Sequence, residues 1–229
     1  MSIHQGCVQR LRHFLDRVAA ASALPAAPYA RGTPVFTKGQ PAGSLFLLRS
    51  GRVRIFQPAS FCREIILRIA HAGHVFGEEG FAGGGVRGLE ALALDDAVVT
   101  EVPRAVFLQA AGSEPEALRL LAEVVDLRRA EVLRRVELLH MRNVQQRLLV
   151  FLSGMAAESG EGHRNGYVIH LRQGDVAGLI GATRETTSVN LNALARQGYI
   201  ELGRCHLRIP SPAAIHQAAR AVYRRGRRG

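Results

Sequence analysis

Apolar residues recur three and four apart over residues 5–24, with Val8, Leu11, Phe14, Leu15 and Val18 on one side. That spacing predicts an amphipathic helix, which Pro25 and Pro28 end. Between residues 29 and 102 the period shortens. Apolar runs at 33–36, 44–48, 53–57, 64–69, 89–94 and 97–102 are separated by turn residues, which predicts an all-β roll or barrel. Gly32, Gly39 and Gly51 fall where its turns need positive φ. Glu114-Pro115 suits a helix start with proline in the first turn, and no Gly or Pro follows as far as His140. Leu118, Leu121, Val125, Val132 and Leu139 lie near heptad spacing, and Leu120, Val124, Leu127 and Leu138 form a second stripe. A helix apolar on two sides needs two partners. The roll is one; the same helix of a second copy is the other, with burial twice inside one monomer as the alternative. Arg128 and Arg135 interrupt the seam.

Residues 140–143 read as a hinge and 144–157 as a further helix, followed by a polar, Gly-rich loop at 159–166 and a strand at 167–171. The segment 171–198 carries two short amphipathic helices. Val176, Ala177, Leu179 and Ile180 are the apolar residues of the first; Val189, Leu191 and Leu194 give the second its apolar spacing. Gly181-Ala182-Thr183 joins them, and Thr183 suits the N-cap of the second. Two short helices on a tight Gly-containing turn predict a helix-turn-helix, whose second helix enters a DNA major groove. That helix opens on Arg184, Glu185, Thr186, Thr187 and Ser188, a polar turn able to face base edges. Residues 199–201 and 206–209 flank Leu202-Gly203-Arg204-Cys205 and predict a hairpin wing. After Pro210 and Pro212 come a last helix and a basic tail of Arg220, Arg224, Arg225, Arg227 and Arg228.

Charge sharpens this picture. Of the formal +11 on 229 residues, residues 141–229 hold 13 Arg against 5 acidic groups, a net +8. The C-terminal third is therefore expected to meet a polyanion, double-stranded DNA. The tail either adds non-specific affinity or is a solvated charge run. Cys7, Cys62 and Cys205 are far apart, so neither a disulfide framework nor a four-cysteine iron–sulfur cluster is expected within one chain, and lone buried thiols are the default. The N-terminus lacks a signal-peptide pattern and no 18-residue apolar run occurs, so a soluble, cytoplasmic protein that does not engage a membrane is expected.

The order of roll, long helix, hinge and winged helix-turn-helix resembles the CRP/FNR family of bacterial transcription regulators over nearly the whole chain. The resemblance rests first on Thr183-Arg184-Glu185-Thr186 with Leu191, Leu194 and Gly198-Tyr199-Ile200. In the front half it rests on residues 32–36, Gly39, residues 45–48, Gly51-Arg52-Val53, Gly73 and Phe76-Gly77-Glu78. It implies an α+β fold: a β-roll sensor of the cyclic-nucleotide-binding type with its N-terminal helix over 1–112, a long dimerisation helix over 113–140, and a winged helix-turn-helix DNA-binding domain with a basic tail over 141–229. It also implies a homodimer on a near-palindromic operator, with RNA polymerase as a partner. Arg184, Glu185 and Ser188 match base-reading positions; for Arg184 a phosphate contact, and for Glu185 a helix-dipole role, remain the alternatives. Gln173, Thr183, Thr187 and Arg204 are expected on the DNA backbone. Where many relatives carry a second Arg, Val189 stands; it either touches a thymine methyl or packs. Leu118, Leu121, Val125, Val132 and Leu139 are expected at the dimer interface.

For the sensor, the resemblance implies a pocket built from Gly77, Glu78, Arg87, Gly88, Leu89, Arg128, Val132 and Leu133. In cyclic-nucleotide-binding members the Glu accepts from a ribose hydroxyl and the Arg neutralises the cyclic phosphate. Here Gly88 and Leu89 replace a hydroxyl residue and an alanine, and Val132 and Leu133 replace hydroxyl donors to the purine. Each buried polar group left unpaired costs roughly 1–3 kcal/mol, so cAMP is disfavoured and the effector is left unnamed. Haem or another hydrophobic ligand is the alternative, with His71, His74 and His140 as candidate axial ligands; no ligand at all is a further option. Glu78 capping a turn, and Arg87 pairing with Glu78 or Glu79, are the structural readings of those two residues. A cupin-like metal enzyme on His71, His74 and Glu78 is weighed against these, but the spacing is wrong and no nucleophile–base set appears. No catalytic residue and no metal site are expected. A cyclic-nucleotide sensor without DNA is disfavoured by residues 171–198 and the +8 charge.

Overall fold

Two sheets and a helical layer grow from three kinds of apolar spacing in the first half of the chain. The structure, a computed structural model, describes residues 3–58, 64–81, 85–158, 166–204 and 206–226. Cys62, Cys205, residues 159–165 of the expected loop, and Arg227 and Arg228 lie outside the described residues. The chain divides into units spanning residues 1–132 and 133–229, and the division falls within one helix.

In the first unit, α1 (Ile3–Ala21) is followed by β1 (Ala26–Tyr29), β2 (Pro34–Phe36), β3 (Ser44–Ser50), β4 (Arg52–Gln57), β5 (Ile65–His71), β6 (Val75–Phe76), β7 (Glu90–Ala93) and β8 (Ala97–Pro103). The strands form two four-stranded antiparallel sheets, ordered β1-β8-β3-β6 and β2-β7-β4-β5. In β3, side chains alternate between two cores. Leu45 and Leu47 join Leu11, Leu15 and Phe107 under the helices; Phe46 and Leu48 join Phe36, Phe76, Val53 and Ile55 between the sheets. Gly32, Gly39 and Gly51 adopt positive φ.

Two elements depart from the sequence expectation. The first helix ends at Ala21, and Pro28 lies in β1, paired with Val98. β1 is an edge strand, where a missing N–H costs no ladder bond. A short α2 (Arg104–Ser113) precedes the long α3 (Glu116–His140), so Pro115 stands just before α3. Phe107 and Ala111 of α2 are buried; the Gly112 beside them masked the helix in the sequence.

The second unit begins in α3 and continues with α4 (Val144–Glu158), β9 (Tyr167–Ile169), α5 (Gln173–Ile180), α6 (Arg184–Arg196), β10 (Glu201–Leu202), β11 (Leu207–Ile209) and α7 (Pro212–Gly226). Asn143 caps α4, its Oδ1 accepting from Gln145 N–H at 2.8 Å. α4 packs on α5, α6 and α7, burying Leu148, Leu152, Val176, Ile180, Leu191, Leu194 and Ile215. β10, β11 and β9 form a small antiparallel sheet that carries the wing. Arg220, Arg224 and Arg225 belong to α7 rather than to a separate tail.

Candidate nucleic-acid interface and sensor site

α5 ends at Gly181, which takes the left-handed conformation (φ 64°, ψ 43°) that a side chain resists. A terminal methyl of Leu139 lies against the Gly181 Cα, leaving no room for a Cβ. Arg147 of α4 donates from Nη1 to the carbonyls of Ile180 (3.2 Å) and Gly181 (3.0 Å), and from Nε to that of Met141 (2.6 Å). One cation thus satisfies the open carbonyls of a helix end and holds the 140–143 segment beside the turn. Sequence reading missed Arg147, because its partners lie 33 and 34 residues away.

Thr183 is the N-cap of α6, its Oγ1 accepting from Thr186 N–H at 2.9 Å. Arg184 and Glu185 are exposed on the first turn, Ser188 is half-buried on its flank, and Val189 stands in solvent. Gln173 is half-buried at the start of α5, and Arg204 is exposed at the wing. Thr187 requires a correction: it is 0% exposed and cannot reach a phosphate. It completes the i, i+4, i+7 stripe with Leu191 and Leu194 that anchors α6. The opposite face carries Glu185, Val189, Asn192 and Arg196, all exposed. Asn192 and Arg196 were not singled out from the sequence, although their spacing from Glu185 carries the signal.

On α3 the expected seam is also redrawn. Leu121 is buried with Leu120 and Val124 in the core of the first unit and is unavailable to a second copy. Leu118, Val125, Val132, Val136 and Leu139 are 37–49% exposed. With exposed Ala122 and Arg129 they repeat at alternating four- and three-residue steps from 118 to 139. Arg128 does not interrupt this face, because it turns to Glu78 of the roll.

In the roll, Glu78 is buried and receives two guanidinium groups. Arg68 reaches it at 3.0 Å and Arg128 at 2.9 Å, and Arg128 also holds Glu131 at 2.7 Å. Burial pushes the Glu78 carboxyl up, but the two arginines more than reverse this and hold it below the usual carboxylate range. Arg68 was missed; its signal is parity, because it lies on the β5 face of buried Ile66 and Ala70. Arg87 is 2% exposed, donates to the carbonyls of Gly77 and Ser44 at 2.6 Å each, and stands 4.4 Å over the Phe36 ring. Glu79 lies 3.8 Å from Arg87. Gly88 is exposed, Leu89 packs against the inter-sheet core, and Val132 and Leu133 are exposed. Among the residues expected at the pocket, the donors of Arg87 serve main-chain carbonyls, and Glu78 is the centre of an ion-pair cluster. The His71, His74 and Glu78 triad does not converge, since His74 Nδ1 accepts from His71 N–H at 3.3 Å and Glu78 faces the arginines.

Two groups give the roll a pH dependence. Burial, and then the Glu78 charge, push Glu79 up to about 7; burial, and then the Arg68 charge, push His74 down to about 3. The Glu79 contribution is complete below its ordinary 4.5 and is lost as pH rises through 7. The His74 contribution is complete above its ordinary 6.5 and is lost as pH falls through 3. Glu79→Gln is therefore expected to stabilise the roll at pH 8 and not at pH 4, read from amide exchange of β3 and β4 in urea. A pH-independent effect would remove burial of the charge as the cause.

Residues 27–114 match the cyclic nucleotide-binding domain and residues 146–218 the Crp-like helix-turn-helix domain. The nitrogen fixation regulation protein FixK of Azorhizobium caulinodans is 32% identical over 191 residues, 81% of this chain and 75% of that protein. The chain belongs to the CRP/FNR family. Another CRP/FNR relative, the cyclic AMP receptor protein of Thermus thermophilus, is 27% identical over 83% of this chain and 86% of its own length. The structure of FixK2 from Bradyrhizobium japonicum matches with a TM-score of 0.74 at 23% identity, covering 85% of this chain and 96% of that one, a likeness of fold. As a CRP/FNR member the protein is a helix-turn-helix transcription regulator that binds DNA and is not an enzyme. None of the helices in the described residues is long and apolar enough to cross a membrane.

Proposed function

We propose that the protein is a homodimeric, sequence-specific regulator that places two copies of α6 in successive major grooves of a near-palindromic operator. The observation that carries this is the capped α6 itself, which is anchored by Thr187, Leu191 and Leu194 and turns Arg184 and Glu185 outward. Arg is suited to guanine O6 and N7, and Glu accepts from cytosine N4. Gln173, Thr183 and Arg204 supply backbone contacts that position the helix without reading it. The exposed α3 face from Leu118 to Val136 supports pairing with a second copy. Half-sites then lie about one duplex turn apart, roughly 34–36 Å. The regulator works in the cytoplasm, on promoters read by RNA polymerase.

Selection of bound duplexes from a random pool tests this reading, and a motif with two inverted half-sites is the expected result. Arg184→Ala is then expected to weaken operator binding by about 1–3 kcal/mol and relax one position per half-site. Equal losses on operator and random DNA would assign Arg184 to a phosphate. The domains act as sensor over 1–112, dimer helix over 113–140 and DNA-binding domain over 141–229.

The name of the Thermus relative raises cAMP, but the residues here do not fit it. Arg87 is committed to Gly77 and Ser44, Glu78 to Arg68 and Arg128, and Val132 and Leu133 offer no donor. Calorimetry with cAMP and cGMP is expected to show no binding; heat that disappears in Arg87→Ala would overturn this. An effector that shifts the DNA-binding orientation has to prefer one orientation, and one of different chemistry, haem or another apolar ligand, is the second reading, favoured by apolar Val132 and Leu133.

A further inference from the structure

Val189 is 66% exposed, the most exposed large apolar side chain among the described residues. It lies on the face of α6 turned furthest from Thr187, Leu191 and Leu194, one helical turn beyond Glu185 and in line with Asn192 and Arg196. Neither packing nor helix formation explains it there: nothing buries it, and valine is a poorer helix former than the alanine or arginine that follow it in α6. Its neighbours are charged and polar, so it is not part of an apolar patch of the size that docks a protein. The amides of Asn190 and Asn192 are turned back to the carbonyls of Thr186 (2.8 Å) and Ser188 (2.9 Å), so the helix itself engages one donor of each. An isopropyl group cannot hydrogen-bond a base. One base edge in the major groove carries an apolar group, the 5-methyl of thymine.

We infer that Val189 is a thymine reader: its side chain packs on the 5-methyl group of one thymine in each operator half-site. The inference rests on the reading that α6 enters the major groove. It gives this helix a mixed code, in which charged Arg184 and Glu185 discriminate by hydrogen bonds and Val189 by shape and desolvation. Ser188, half-buried on the flank, contributes less than Val189 to base choice.

The test uses the full chain and duplexes selected from a random pool. Each thymine of the motif is replaced in turn by uracil, which removes the methyl and leaves the pairing edge intact. One position per half-site is expected to lose about fourfold in affinity, the effect of one methyl group withdrawn from water. In Val189→Ala that loss is expected to vanish, with the rest of the motif unchanged. If uracil is tolerated everywhere, or its penalty persists in Val189→Ala, while Arg184→Ala and Glu185→Ala still alter the motif, the thymine assignment is overturned and α6 remains the reading helix. If none of the three substitutions alters the motif, both the assignment and the reading beneath it fall.

Discussion

Val125→Glu combined with Val132→Glu is expected to convert the protein to monomers and to lower operator affinity by a factor on the order of 10²–10⁴. Both residues sit on the exposed α3 face, 44% and 43% exposed, and neither contributes to the cores of the two units. A negative charge facing its symmetry mate across a C2 seam places like charges together in a desolvated site. The loss in DNA binding follows from geometry rather than from any base contact. A dimer binds its second half-site intramolecularly, at an effective concentration that a monomer lacks. Sedimentation of the variant reads the oligomeric state, and circular dichroism checks that the fold is retained. A variant that stays dimeric would remove this face from the interface. A monomer that binds the operator at full strength would remove the need for pairing.

Glu78→Ala is expected to destabilise the roll by about 3 kcal/mol, because it takes the shared carboxylate from two largely buried guanidinium groups and, among the described residues, leaves Arg68 only the Val75 carbonyl and Arg128 only Glu131. Arg68 and Arg128 keep only 14% and 18% of their side-chain surface in water, so solvent cannot take over as partner. The cost belongs to the break and not to the worth of the cluster. Replacing all three at once (Arg68→Met, Glu78→Leu, Arg128→Leu) removes the charges together and is expected to recover most of the loss. The measurement is urea unfolding read by amide exchange in β3 and β4, which reports the roll separately from the second unit. A cost below about 1 kcal/mol for Glu78→Ala would mean that the arginines find other partners. Arg128 is on α3 and Glu78 is in the roll, so the substitution also takes one of two carboxylate partners from the long helix.

The helix-turn-helix was legible because its signals are local. Gly181, Thr183 and the stripe through Leu191 and Leu194 act within one or two turns of the chain. Thr187 shows the limit of reading by polarity. Its hydroxyl suggested a phosphate contact, while its spacing from Leu191 and Leu194 already put it on the buried face. Leu121 shows the limit of heptad counting: Leu118, Val125 and Val132, seven residues apart, are exposed, but Leu121 goes with Leu120 and Val124 to the core. Ala122 and Val136 share the exposed face instead.

By itself, the sequence determined the succession of β-roll, long helix and helix-turn-helix, though not β1 or α2, together with the turns at Gly32, Gly39 and Gly51, the capped α6 and, through its motifs, the family. Each is written in neighbours along the chain, where hydrophobic period, caps and glycine conformations operate. The tertiary structure alone decided which stripe of α3 stays free, that Arg87 serves two carbonyls, that Arg68 and Arg128 share Glu78, and that Val189 faces outward uncovered. These depend on groups 10 to 50 residues apart meeting in one place. Whether a charge there binds a ligand or a neighbour depends on which partner gains more than its desolvation costs in the folded protein, and no local pattern encodes that.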